Sequence, residues 1–145
     1  MSTPAPAFRL PQLSGEELTL EALAARGPFL LTFFKISCPI CQMTLPWLQR
    51  LHDLGALPVY AVSQNDRDDT LDFNREFGLT LPTLLDSGDD DFPASNAYGI
   101  QHVPTSFLIS PDSTITKVIE GWDKAAFASL SALAPGPEYP ERKAG

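Results

Sequence analysis

Cys38 and Cys41, the two cysteines of the chain, stand three positions apart in the stretch FFKISCPICQMTLPW. Three readings fit such a pair: a redox dithiol, two ligands of a metal, or two small apolar side chains that are neighbours in a core. Redox work needs one thiolate to attack a disulfide sulfur and a second thiol to release the mixed disulfide that results. Two cysteines separated by two residues, beside a β-α-β pattern, carry that signature. A four-ligand zinc site needs more cysteines or closely spaced histidines, and His52 and His102 stand fifty residues apart, so no metal is expected. His52 reads as a solvated helix position and His102 as a loop residue.

The pair gains meaning from the elements around it. GPFLLTFFKI (27–36) is a short apolar run opened by Gly-Pro, which suits a buried central strand. From Pro39 to Leu54 the side chains of Ile40, Met43, Trp47, Leu51 and Leu54 recur at three- and four-residue spacing, and Gly55 follows as a stop. The helix therefore begins at the cysteine motif, where unpaired backbone N–H groups and the positive dipole end favour a thiolate. A cysteine in such a position has its pKa lowered from about 8.5 into the range of roughly 3.5 to 7.5. Pro39 falls at the first helical position, where its missing N–H costs nothing and its ring fixes the turn. Cys38 is thus the candidate nucleophile, and Cys41, one turn inward, the candidate resolving thiol.

LPVYAVS (57–63) reads as the next strand, and DTLDFNREFG (69–78) as a helix with Asp69 as N-cap and Gly78 as terminator. TSFLIS (105–110) and TITKVIEG (114–121) flank the turn signal Pro111-Asp112-Ser113 and predict an antiparallel hairpin. A last helix is expected over 123–133. The order β-α-β-α, linker, β-β-α predicts an α/β fold, a mixed sheet with helices on both faces. The Pro- and Ala-rich residues 2–13 are expected to run extended over the surface, and 135–145 to form a flexible tail. That leaves a single domain over 1–134, with its folded body at 8–134.

Composition narrows the partners. Eighteen acidic against ten basic side chains give a net charge of −8, which repels phosphate backbones and anionic lipid, so neither nucleic acid nor a membrane surface is expected. The longest apolar run, 27–34, is far short of the roughly 20 residues a membrane span requires. The segment MSTPAPAFRLPQ lacks the basic and apolar regions of a secretory signal, which favours a cytoplasmic address, or a periplasmic one if a leader has been trimmed. One disulfide closing so short a loop would staple little, so a disulfide-reinforced secreted scaffold is disfavoured.

AYGIQHVPTSFLI (97–109) adds a second signature. With the cysteine motif after a buried strand, Pro46 five residues beyond Cys41, and the segment FRLPQLSGEELTL (8–20), the chain resembles the thioredoxin superfamily over 8–133. It is most similar to the TlpA-like, AhpC/TSA-related redoxin branch of thiol-disulfide oxidoreductases. The resemblance implies a thioredoxin-like three-layer α/β/α sandwich with a mixed central sheet and an amino-terminal extension. It implies a monomer that needs no cofactor beyond a redox-active Cys38–Cys41 disulfide, acting on protein disulfides or dithiols with a thiol reductant system. It also implies that Pro104 is cis and faces the cysteines, and that Val103 offers its backbone to an extended substrate. Ser37, Pro39, Val103 and Pro104 are then the candidate substrate-binding residues. A proline at 104 has no N–H, so Val103's carbonyl and amide are expected to be free for a strand-like partner.

Three departures from the family pattern bear on mechanism. Ser37 stands where the family usually has Trp before the first cysteine. Thr32 and Thr44 stand where relatives place carboxylates that help deprotonate the second cysteine, and neither hydroxyl can act as a general base. Lys35 reads as a structural lysine with its head in water. A peroxiredoxin is the nearest alternative function, but its P-x-x-x-T-x-x-C pattern fails at Leu31 and Lys35. A non-catalytic binding module of the same fold is a third. Asp86 and Asp89–Asp91 lack the alternation of a calcium loop and read as a solvated loop. Trp122 reads as a packed or partly exposed aromatic near the final helix, and no phosphate-binding glycine loop occurs.

Overall fold

Every side chain of Phe29–Phe34 is buried, as a strand covered on both faces requires. The computed structural model describes residues 3–55 and 57–131. In chain order it contains β1 (Thr3–Pro4), β2 (Arg9–Pro11), β3 (Glu17–Thr19), α1 (Leu20–Ala24), β4 (Phe29–Phe34), α2 (Pro39–Asp53) and β5 (Val59–Ser63). There follow α3 (Arg67–Glu76), β6 (Thr83–Leu85), a short 3-10 turn at Gly88–Asp90, α4 (Pro93–Ala97), β7 (Thr105–Ile109), β8 (Thr114–Glu120) and α5 (Lys124–Ser131).

Six strands form one mixed sheet in the order β1-β8-β7-β4-β5-β6, while β2 and β3 make a separate hairpin. β4 pairs parallel with β5 and antiparallel with β7, with Thr32 opposite both Ala61 and Ser106. Alternation along β4 sends Phe29, Leu31 and Phe33 to one face, where they pack with Leu20, Leu23, Ala94, Tyr98 and Phe107. Leu30 and Phe34 go to the other, with Leu45, Leu48 and Leu51 of α2, Phe73 of α3 and Phe127 of α5. Layered helices on both faces of a mixed sheet are the thioredoxin-like sandwich expected from the sequence.

Boundaries and edges differ from expectation in instructive ways. The cap of α3 is Asp66, whose carboxylate accepts the N–H of Asp69 at 2.8 Å, so Asp69 is the capped residue and the helix starts three residues sooner than expected. The extended amino-terminal segment is part of the fold: Ala5, Phe8 and Leu10 are buried, and Tyr98 donates its hydroxyl to the Pro6 carbonyl at 2.8 Å. The elements β3, α1, β6 and α4 carry no strong pattern and were not expected. The hairpin of β7 and β8 forms at its turn signal, with Ser113 at φ 65° and the Ser110 N–H donating to the Thr114 carbonyl at 2.9 Å. The tail at 135–145 and the end of the last expected helix lie outside the described residues.

Candidate active site

Strand β4 ends at Phe34, and a four-residue connection delivers Cys38 to the N-cap of α2. The Cys38 sulfur accepts the backbone N–H of Cys41 at 3.1 Å, filling the capping role usually taken by Ser, Thr, Asp or Asn. Pro39 occupies the first turn of the helix, as the sequence predicts. A donor N–H on the sulfur and the positive end of a fifteen-residue helix both stabilise negative charge there.

Three side chains and one carbonyl fix the connection. The Ile36 peptide is held on both sides: its N–H donates to Asn65 Oδ1 at 2.9 Å and its carbonyl accepts from Gln42 Nε2 at 3.1 Å. Asn65 is in turn set by its own N–H on Ser63 Oγ at 3.0 Å, and the Cys38 N–H reaches the Lys35 carbonyl at 3.3 Å. Sequence reasoning passed over Gln42 and Asn65. Gln42 follows the second cysteine directly and was legible as a polar residue on an otherwise apolar turn; Asn65 carried no signal.

The two sulfurs meet different surroundings. Cys38 is half-buried, whereas Cys41 is wholly buried against the face formed by Leu45, Leu48 and Phe34. Burial, reinforced by its hydrogen bond with Cys38, pushes the Cys41 thiol far above its ordinary value of 9.0. Both cysteines are free thiols.

The loop before β7 completes the site. The Val103–Pro104 peptide is cis, and the Cys38 thiol donates to the Val103 carbonyl at 3.5 Å. That contact corrects the expectation of a free Val103 carbonyl: the thiol occupies it, and loss of the thiol proton removes the donor. The structure thus brings together Cys38, Cys41, Val103 and Pro104, with Ser37 and Pro39 exposed at the rim. Ile40 and Met43, exposed by 47% and 36%, add an apolar shoulder on the first turns of α2.

The threonines at the two departure positions behave differently. Thr32 shares a 2.9 Å hydrogen bond with Ser106, while the buried hydroxyl of Thr44 has no hydrogen-bond partner among the described residues. Lys35 is exposed, as expected of a lysine with its head in water. Two other expectations need correcting. His52 is more than a solvated position: it is half-buried, and its Nδ1 accepts the Val59 N–H at 2.9 Å, which ties the end of α2 to β5. Asp86 is not part of a solvated loop: it is wholly buried and accepts the Ala94 and Ser95 N–H groups at 2.9 and 2.7 Å. Trp122 packs on Trp47 and Phe127 with ring centroids 5.7 and 4.9 Å from its own and is half-buried, the packed, partly exposed aromatic that the sequence suggests. Among the described residues no cluster of three or more His, Cys, Asp or Glu forms a metal site, and no helix is long and apolar enough to cross a membrane.

A mixed sheet with a capping cysteine, a second cysteine one turn inward and an opposing cis-proline defines a thioredoxin-fold redoxin. Residues 1–118 match the AhpC/TSA family, and the chain belongs to it. The chain is 32% identical to the thiol-disulfide oxidoreductase ResA of Halalkalibacterium halodurans over 79% of its own length and 65% of the relative's. It therefore spans just under two thirds of that protein. In fold it is similar to the thioredoxin domain of a thiol-disulfide oxidoreductase from Bacteroides vulgatus, with a TM-score of 0.78, 20% identity and coverage of 91% of this chain and 96% of that one. It is also similar to the peroxidoxin BcpB of Mycobacterium tuberculosis, with a TM-score of 0.76, 20% identity and coverage of 91% and 94%. Both likenesses are likenesses of fold.

Proposed function

We propose that the protein is a thiol-disulfide oxidoreductase that exchanges two electrons with disulfides or dithiols of polypeptide substrates. In the reducing direction, the Cys38 thiolate attacks one sulfur of a substrate disulfide and expels the other as a thiolate, which takes up a proton. Cys41 then gives up its proton and attacks the Cys38 sulfur of the mixed disulfide. The second substrate thiol leaves, and a Cys38–Cys41 disulfide remains. The reverse sequence oxidises a dithiol. The carrying observation is the Cys41 N–H on the Cys38 sulfur at 3.1 Å, which puts the attacking atom at a helix N-terminus with its partner cysteine one turn behind it. The kinship with ResA supports the reading, and Lys35 in the place of the peroxidase threonine weighs against peroxide reduction.

Val103 and Pro104 are assigned to substrate docking, with the Val103 carbonyl released to a partner's N–H once Cys38 ionises. A Cys41→Ser variant is expected to accumulate mixed disulfides through Cys38, visible on non-reducing gels and absent from Cys38→Ser. Failure to trap any polypeptide, with rapid oxidation of Cys38 to sulfenic acid by peroxide, would replace this reading with a thiol peroxidase.

A further inference from the structure

Beside Val103 lies a cavity of about 240 Å³ that disulfide exchange itself does not explain. Lys35, Gln64, Phe92, Ile100, His102 and Val103 line it, and Ser95 and Asn96 of α4 close one wall. It adjoins the nucleophile through two of these residues, since the Lys35 carbonyl accepts the Cys38 N–H and the Val103 carbonyl accepts the Cys38 thiol. Among the described residues no Asp or Glu lines it, although the chain carries eighteen acidic side chains against ten basic ones.

The wall is firmly built. The buried Asp86 carboxylate holds the first turn of α4 through two backbone N–H groups, and Ser95 Oγ accepts from Gln64 Nε2 at 2.8 Å. Phe92, which lines the cavity, adopts φ 50° and ψ 58°, a left-handed conformation unfavourable for a residue with a Cβ, and is 36% exposed.

The cavity is smaller than the roughly 300–1,000 Å³ of sites for drug-sized ligands, and suits one side chain. Phe92 and Ile100 offer an apolar lining for a short methylene stem, while Lys35 and His102 offer N–H donors for an acceptor head. We propose that this cavity takes the Glu or Asp side chain that flanks the reacting cysteine of an extended polypeptide substrate. Lys35 and His102 hold its carboxylate. The inference rests on the oxidoreductase reading above and names the substrate sequence that the site prefers.

The test uses the reduced full chain and synthetic peptide disulfides that differ only in the residue beside the cysteine, Glu, Gln or Lys, placed in turn on each side. Each exchange rate is divided by the rate of the same peptide with dithiothreitol, which removes the flanking residue's own effect on sulfur reactivity. At low salt, on at least one side of the cysteine, Glu is expected to outpace Lys by about tenfold with Gln between, and the ratio should shrink at high salt. In a Lys35→Gln/His102→Gln variant the Glu-to-Lys ratio should fall towards one; because it is a ratio within one protein, any change in Cys38 reactivity cancels. Equal rates for the three peptides on both sides, or a ratio that the double substitution leaves unmoved, overturn this inference and leave the oxidoreductase reading intact. Exchange with none of them overturns both.

Discussion

The first turn of α2 and the turn behind it are made of the same chain and share little else. At the mouth, Cys38 is half-buried, Ser37, Pro39 and Ile40 are exposed, and the sulfur's polar contacts are to backbone groups, the Cys41 N–H of the helix and the Val103 carbonyl of a loop. One turn inward, Cys41, Thr44, Leu45, Trp47 and Leu48 are almost wholly removed from water. Two identical thiols are thus set apart by depth and by place on the helix: one caps the N-terminus near the surface, and the other is sealed in the core. The helix N-terminus and a donor N–H favour negative charge on the first, and burial penalises it on the second.

The largest effect that sharpens this contrast is on stability. Trp47→Ala, which empties the aromatic cluster with Trp122 and Phe127, is expected to cost about 3–5 kcal/mol in urea unfolding. Ile40→Ala at the mouth should change stability by about 0.5 kcal/mol or less. Comparable losses for the two would mean that the mouth is packed as tightly as the interior.

The next effect is on pH dependence. The folded state keeps the Cys41 proton above the ordinary value of 9.0, while the unfolded chain releases it near that value. Above pH 9 the unfolded state therefore binds fewer protons, and stability must fall as pH rises, by up to about 1.4 kcal/mol per pH unit from this group. Burial raises Tyr98 as well, and adds a second decline above its ordinary 10.0. Urea midpoints of the reduced protein between pH 8 and 10 should show the fall, and Cys41→Ala should flatten it below pH 10. An equal slope in that variant would place the Cys41 thiol in contact with water.

The smallest effect concerns the buried hydroxyl one turn past Cys41. Thr44→Val removes a polar atom that has no partner among the described residues, and is expected to raise stability by about 1 kcal/mol in the same assay. A loss of that size would reveal a partner for the hydroxyl.

The sequence made the mouth far more legible than its supports. A strand of six buried residues, a helix opened by proline and a β-branched hairpin follow from periodicity and turn chemistry, which are local. What it hid depends on single polar residues whose partners are remote. Ile36 is held by Asn65, 29 positions away, and Gln49 accepts the Thr80 and Leu81 N–H groups, 31 and 32 positions away. Asp86 looked like one more acid in an acidic loop, because nothing in its neighbourhood announces that two N–H groups will converge on it. The cis peptide came from likeness to a family; composition alone would have left Val103–Pro104 an ordinary bond.

The amino-terminal stretch has one more consequence. Thr3 and Pro4 pair with Ile115 and Thr114 on the outer side of β8, and eight residues later Gln12 bridges to Leu84 on the outer side of β6. A single run of chain thus reaches both rims of the sheet, and occupies backbone groups that a foreign strand would otherwise seek. Under the function proposed above, a polypeptide client would add itself at the Val103 loop, beside the sulfur.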